Sequence, residues 1–235
     1  PVVALLMLWF LWRHAQSAGS AARFLRRSAP ALAGFLLLAG PVAWASWQSS
    51  GRVALGPNTG GLNLYIGNNE KRCETLMLRP GEDFLALMYA ARDAGYAGSG
   101  QIEAFYRSRF LSYVQDHPAH FLAGLAHKAA QYANGREVPR NVDIYAIREW
   151  SFLLAALVWK VGRFGFPFGL LFPLALVGLW IQRRRLPAPV WILVTLQPAV
   201  LILVFVAGRH RVPLVPVWAV LAAIAGVSVF DAIRA

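Results

Sequence analysis

The chain has 235 residues, of which 57% are hydrophobic and 14% charged. Soluble domains average about 45–50% apolar and about 25% charged, which argues against an ordinary soluble domain, and the mean hydropathy of +0.48 argues against disorder. Twenty-three Lys and Arg against eleven Asp and Glu give a net charge of +12. In so apolar a chain this excess reads as cytoplasmic loop charge rather than as a nucleic-acid footprint, and no nucleic-acid partner is expected. The single cysteine, Cys73, excludes an internal disulfide framework.

Residues 1–12 (PVVALLMLWFLW) are apolar from the first position and carry no basic leader of the kind a signal peptide has. At 1.5 Å per residue they rise about 18 Å, less than a hydrocarbon core of about 30 Å. They read as the end of a truncated transmembrane helix, with a short interfacial helix as the alternative. The chain is therefore expected to be the C-terminal portion of a longer protein. Residues 13–29 form a basic loop with Arg13, Arg23, Arg26 and Arg27 and no acid, and 30–47 is an uncharged run long enough to span.

Residues 48–163 form a long polar segment with near-balanced charge. Uncharged stretches follow at 164–181, 187–208 and 212–230, separated by a loop at 182–186 with the triplet Arg183-Arg184-Arg185 and by a turn at 209–211, and followed by a tail at 231–235. Lys and Arg in short loops set orientation, whereas long domains translocate largely regardless of charge. The loops 13–29 and 182–186 and the tail are accordingly placed in the cytoplasm, and 48–163 and 209–211 outside. The expected fold class is mainly α: a polytopic membrane helical bundle, with about four full spans plus one truncated and a mostly helical outer-face domain. Trp44, Trp47, Trp180, Trp191 and Trp218 lie near predicted span ends, as interfacial aromatic residues do.

Within the outer segment, Gly56–Asn69 (GPNTGGLNLYIGNN) holds five Gly and Pro and four Asn around a short Leu62–Ile66 core. It reads as a loop with a brief strand, able to present amides to a sugar or phosphate or simply to turn the chain. Glu82-Asp83 follow Pro80-Gly81 and read as a capped helix start; as neighbours they point apart and make a poor acid–base pair. Ile102, Phe105, Tyr106, Arg109, Phe110, Tyr113 and Val114 recur at spacings of three and four and predict an amphipathic helix. Asp116-His117-Pro118 reads as a stop and restart, with Asp116 as N-cap. The second helix runs to the C-terminal signal Asn134-Gly135.

His117, His120 and His127 lack the partners of a recognised metal spacing, and no metal or other cofactor is expected. Asn141, Asp143 and Tyr145 precede the apolar stretch 151–161. They either line a membrane-proximal cavity or cap a juxtamembrane helix.

The turn Arg209-His210-Arg211 places two guanidinium groups between oily helices on the outer side, followed at once by Pro213 and Pro216. Charge at such a depth is costly and marks a functional site by default, unless the side chains only snorkel to lipid phosphates. Arg is shaped for bidentate phosphate contact.

Three segments together resemble bacterial membrane glycosyltransferases of the GT-C superfamily, and in particular the glycosyltransferase family 39-like (dolichyl-phosphate-mannose mannosyltransferase-like) proteins. They are TGGLNLYIGNN at 59–69; QDHPAHFL at 115–122 with PRNVDIY at 139–145; and GRHRVPLVP at 208–216. The resemblance covers about residues 30–230. It implies an integral enzyme of the bacterial inner (plasma) membrane. Such an enzyme takes a sugar from a polyprenyl-phosphate carrier and transfers it, with inversion, to a glycan, lipid or protein acceptor at the outer face.

On that resemblance, Arg209, His210 and Arg211 would bind the lipid phosphate. Gly60, Gly61, Asn63, Tyr65, Gly67, Asn68, Asn69, Asn141, Asp143 and Tyr145 would shape the sugar or acceptor cavity. The catalytic base is expected upstream of Pro1, so this portion alone is expected to be inactive. The competing readings are an O-antigen ligase or polymerase-like enzyme and a non-catalytic membrane scaffold or transporter fragment.

Overall fold

Helices account for most of this computed structural model, which describes residues 2–18, 20–51, 53, 59–78, 81–135, 143–162 and 164–234. Helix α1 spans Val2–Ala18 and α2 spans Ala21–Ser50, so most of the basic stretch 13–29 is helical, with Ser20 outside both helices. No Pro or acid interrupts the stretch, and Arg is a good helix former. Helix α2 carries Pro30 and Pro41 internally, and its Leu36, Leu37 and Leu38 are exposed.

The outer segment opens with a difference from the expected loop and brief strand. Residues Gly60–Gly67 form a helix, α3. Leu62 and Ile66 stand four apart and both are buried, so the three-to-four period prevails over the weak alternation of Leu62, Leu64 and Ile66. Helices α4 (Arg72–Met77) and α5 (Glu82–Asp93) follow, with Gly81 at the N-cap of α5 and Glu82 and Asp83 in its first turn.

Helix α6 is Ser99–Asp116 and α7 is Pro118–Asn134. Pro118 occupies the first turn of α7, and Gly135 closes it in the left-handed region at φ +71°, the conformation that favours glycine. The junction itself falls one residue later than expected: Asp116 still belongs to α6, and His117 joins the two helices without a side-chain cap. Leu62, Ile66, Ala91, Phe105 and Tyr106 make the core of the outer domain. The Tyr106 hydroxyl donates to the Leu87 carbonyl, and burial raises its pKa.

After α8 (Ile144–Ile147), a 3-10 turn (Arg148–Trp150) and α9 (Phe152–Leu157), the chain forms a short antiparallel hairpin. Its strands are β1 (Trp159–Val161) and β2 (Phe164–Phe166), with Trp159 opposite Phe166. The hairpin occupies the first residues of the stretch 164–181 expected to be one span, and α10 begins only at Phe168 and runs to Gln182. Phe and Trp suit a pleated surface, and the Trp159 ring stacks on that of Phe166 with centroids 4.8 Å apart.

Helix α11 is Ala188–Leu203. The connection to the last helix falls at residues 204–207, earlier than the turn expected at 209–211. Gly208–Arg211 is already helical (α12) and passes through a 3-10 turn into α13, Val215–Arg234.

Helices α10 and α13 pack most closely. A Cβ on Gly178 would lie 1.8 Å from the carbonyl oxygen of Leu221, so the two backbones touch there. Ala175, Leu221, Ala222 and Ala225 are buried around that contact, the small-residue packing of membrane helix pairs. Trp218, Val194 and Leu214 complete this second core. Among the described residues two helical segments are long and apolar enough to cross a membrane, Ser28–Gln48 and Gly208–Arg234, while α10 and α11 are apolar but shorter.

Candidate functional site

The three stretches singled out by the sequence divide between buried structural contacts and exposed groups. At the head of α3, the Gly61 amide donates to both carboxylate oxygens of Glu103 on α6, each at 2.7 Å. A carboxylate at a helix N-terminus satisfies amides that have no partner within the helix and complements the helix dipole. Gly61 permits the approach: a Cβ there would sit 2.6 Å from the Glu103 carbonyl oxygen.

At the other end of α3, Gly67 lies against the end of α11, where a Cβ would meet the Val204 carbonyl oxygen at 1.8 Å. Asn68 Nδ2 donates to the carbonyls of Leu64 (2.9 Å) and Leu203 (2.8 Å). Asn69 Nδ2 donates to Tyr65 O at 2.7 Å and to Thr75 Oγ1 at 3.0 Å. Both asparagines are buried. Asn63, bonded to Thr59 Oγ1 at 3.3 Å, and Tyr65, whose ring lies against Tyr106, remain half-buried.

The amine of Lys128 joins these parts. It is 2% exposed and donates among Asn68 Oδ1 (2.7 Å) and the carbonyls of Leu203 (3.1 Å), Val204 (3.2 Å) and Gly67 (3.3 Å). Burial, aided by the nearby charge of Arg72, lowers its pKa from 10.5 to about 8. At neutral pH it therefore remains an ammonium, matched to oxygen acceptors. Lys128 stands four residues from Gly124 and from Tyr132, both buried on the same face of α7. That spacing was the available sequence signal: a lysine in the middle of a buried stripe.

Arg209 and Arg211 are two residues apart on helical backbone, which turns them to different faces. Arg211 is 3% exposed. It donates to the carbonyls of Tyr132 (3.2 Å) and Gly135 (3.3 Å) at the end of α7, with its guanidinium 4.8 Å from the centre of the Phe168 ring. A cation on the last carbonyls of a helix is a C-terminal closure. Trp218 Nε1 donates to the Tyr132 hydroxyl at 3.2 Å, so α7 is fastened to α12 through Arg211 and to α13 through Trp218. Burial also raises the pKa of Tyr132. Arg209 is exposed. The His210 carbonyl accepts from Gln197 Nε2 at 3.2 Å, and its ring lies against Phe205.

The histidines of the second stretch serve the outer domain. His117 pairs with Glu70 at 2.9 Å; His120 lies 3.2 Å from Arg72 and 2.8 Å from the Tyr113 hydroxyl. Among the described residues no group of three His, Cys, Asp or Glu is arranged to hold a metal. Asp143 caps α8, accepting from the Tyr145 amide at 2.9 Å, and Lys160 lies over the Tyr145 ring at 4.3 Å. Asn141 lies outside the described residues. The geometry thus joins residues 61–69 to 203–204 through Lys128, and joins 132–135 to Arg211. Arg209, on the same short helix α12 as Arg211, is exposed. No family model, no curated protein and no solved structure matches this chain.

Proposed function

We propose that this chain belongs to a polytopic membrane glycosyltransferase of the GT-C type, using a polyprenyl-phosphate sugar donor at the outer face of a bacterial plasma membrane. The observation that carries the reading is the junction itself. The stretch 59–69 is bound through Asn68 and Lys128 to the Leu203 carbonyl at the end of α11, 135 residues from Asn68, and Arg211 of the stretch 208–216 is bound to the end of the same α7 that carries Lys128. Arg209 stands exposed at the start of the helix that leaves this junction. Departure of a sugar from a carrier builds negative charge on the phosphate, and a fixed cation stabilises that charge. Outward leucines on α2 and exposed Leu174, Leu176 and Val177 on α10 support a lipid surround.

Within this reading, Arg209 is the phosphate ligand and Arg211 is the group that fixes the helix carrying it. Asn63 and Tyr65 remain open to an acceptor or sugar, whereas Asn68 and Asn69 shape the site from within the fold. The test is transfer of radiolabelled sugar from polyprenyl-phosphate sugars by the full-length protein and by its Arg209→Ala variant. Transfer by the parent and a strong loss in a normally inserted variant are expected. Absence of transfer from every polyprenyl-phosphate sugar, with oligosaccharide transfer from a lipid-linked glycan instead, would move the protein to the ligase class.

A further inference from the structure

Between α8 and the hairpin the chain turns its apolar side chains outward. Trp150 and Phe152 are each 90% exposed, Leu153 is 64% and Leu157 49%. Residues 150–159 contain no charged side chain. Water is a poor surround for such a surface, and a folded chain normally covers it.

The same element carries one side-chain bond at each end. Ser151 Oγ accepts from the Leu154 amide at 3.4 Å at the start of α9. At its end, Arg148 Nη1 donates to the Val158 carbonyl at 3.1 Å. Such caps stabilise short helices in water as well, and beside hydrocarbon, where each open backbone group costs several kcal/mol, they weigh more. The outward apolar side chains, not the caps, set the choice of medium.

Its position names that medium. One residue after α9 the chain enters the hairpin, and one residue after the hairpin it enters the apolar helix α10. The hairpin packs on the head of α10, and Gly135 at the end of α7 lies against Gly165 and Gly169 there. The exposed patch is separated from the outward apolar surface of α10 along the chain only by the hairpin. Tryptophan beside basic residues, here Trp150 with Arg148 and Trp159 with Lys160, is the composition found at the level of lipid headgroups.

We propose that Trp150–Leu157 is an interfacial element embedded in the outer leaflet of the bilayer. Helix α9 lies among the upper acyl chains, and Arg148 and Lys160 sit at the phosphate level. This inference rests on the membrane reading of the bundle but not on the glycosyltransferase reading. Interfacial helices lie about 5–10 Å into the boundary between headgroups and acyl chains.

The experiment places single labels in the full-length protein on a Cys73→Ser background, reconstituted in phosphatidylcholine nanodiscs. Nitroxide at Phe152→Cys reports the patch, Leu176→Cys on α10 reports the bundle, and Ser112→Cys on α6 serves as a water-exposed reference. Collision with oxygen and with a water-soluble nickel chelate is read by electron paramagnetic resonance. The expected result is several-fold lower nickel accessibility at 152 than at 112, with high oxygen accessibility at both 152 and 176.

Nickel accessibility at 152 equal to that at 112, with 176 in lipid, would overturn the interfacial element and leave the bundle in the membrane. Position 176 open to nickel would overturn the membrane reading itself. Low accessibility of 152 to both reagents would place the patch under protein, a partner or a second copy, and would also overturn the proposal.

Discussion

The Lys128 ammonium and the Asn68 side-chain oxygen lie 2.7 Å apart inside the protein, and through them α3 and α7 are fixed to the end of α11. The amine offers three protons to four oxygens from two distant parts of the chain. Removing it leaves buried acceptors without a donor. Lys128→Met should therefore destabilise the protein by about 3 kcal/mol, read as a lowered midpoint of thermal unfolding in detergent.

The same lysine sets a pH dependence. Its folded pKa of about 8 lies below the ordinary 10.5. Between those values the unfolded chain binds a proton that the folded chain does not, so stability rises with pH. The cost of burying the charge is fully present below pH 8 and is relieved as pH climbs toward 10.5. The slope contributed by this group is at most about 1.4 kcal/mol per pH unit. Denaturant titrations between pH 8 and 10 should show that increment in the parent and not in Lys128→Met. Equal slopes in the two proteins would show that Lys128 keeps an unshifted pKa.

Arg209 and Arg211 should separate in their effects. Arg211→Ala removes two charge-assisted bonds to the end of α7 and the contact with Phe168, and should cost about 2–3 kcal/mol of stability. Arg209→Ala removes an exposed side chain and should change stability by less than about 0.5 kcal/mol. Its effect should appear in sugar transfer alone. Equal destabilisation by the two substitutions would contradict the division between a buried fastener and an exposed ligand.

Gly178→Val tests the contact between α10 and α13. Any Cβ at this position collides with the Leu221 carbonyl, which belongs to backbone and has no rotamer by which to yield. The helices must move apart, and disulfide crosslinking of an introduced cysteine pair across them should fall sharply. Gly226→Val, on α13 where a Cβ meets nothing within 4 Å, should leave crosslinking unchanged.

Glu103→Ala removes the carboxylate that closes the start of α3. The loss should be about 1–2 kcal/mol, measured by chemical denaturation, with Glu103→Gln retaining part of it through its amide oxygen.

Periodicity made α6 and α7 readable along most of their length. Pro118 and Gly135 carry start and stop signals whose physics is local. The head of α3 was not readable, because its partner Glu103 is 42 residues away. The same holds for Asn68 and Asn69, whose composition fits a turn but whose amides are consumed by tertiary contacts. Arg211 looked equivalent to Arg209 in sequence; only the arrival of α7 beside it distinguishes them. The second strand of the hairpin escaped because Phe164–Phe166, aromatic and uncharged, has the composition of the beginning of a span.

Helices α10 and α11 contain 15 and 16 residues. At 1.5 Å per residue they reach about 22–24 Å, against a hydrocarbon thickness of about 30 Å. On the membrane reading proposed above, thinning of the lipid next to them would relieve this mismatch and would bring headgroups toward the level where α11 ends and Arg209 begins.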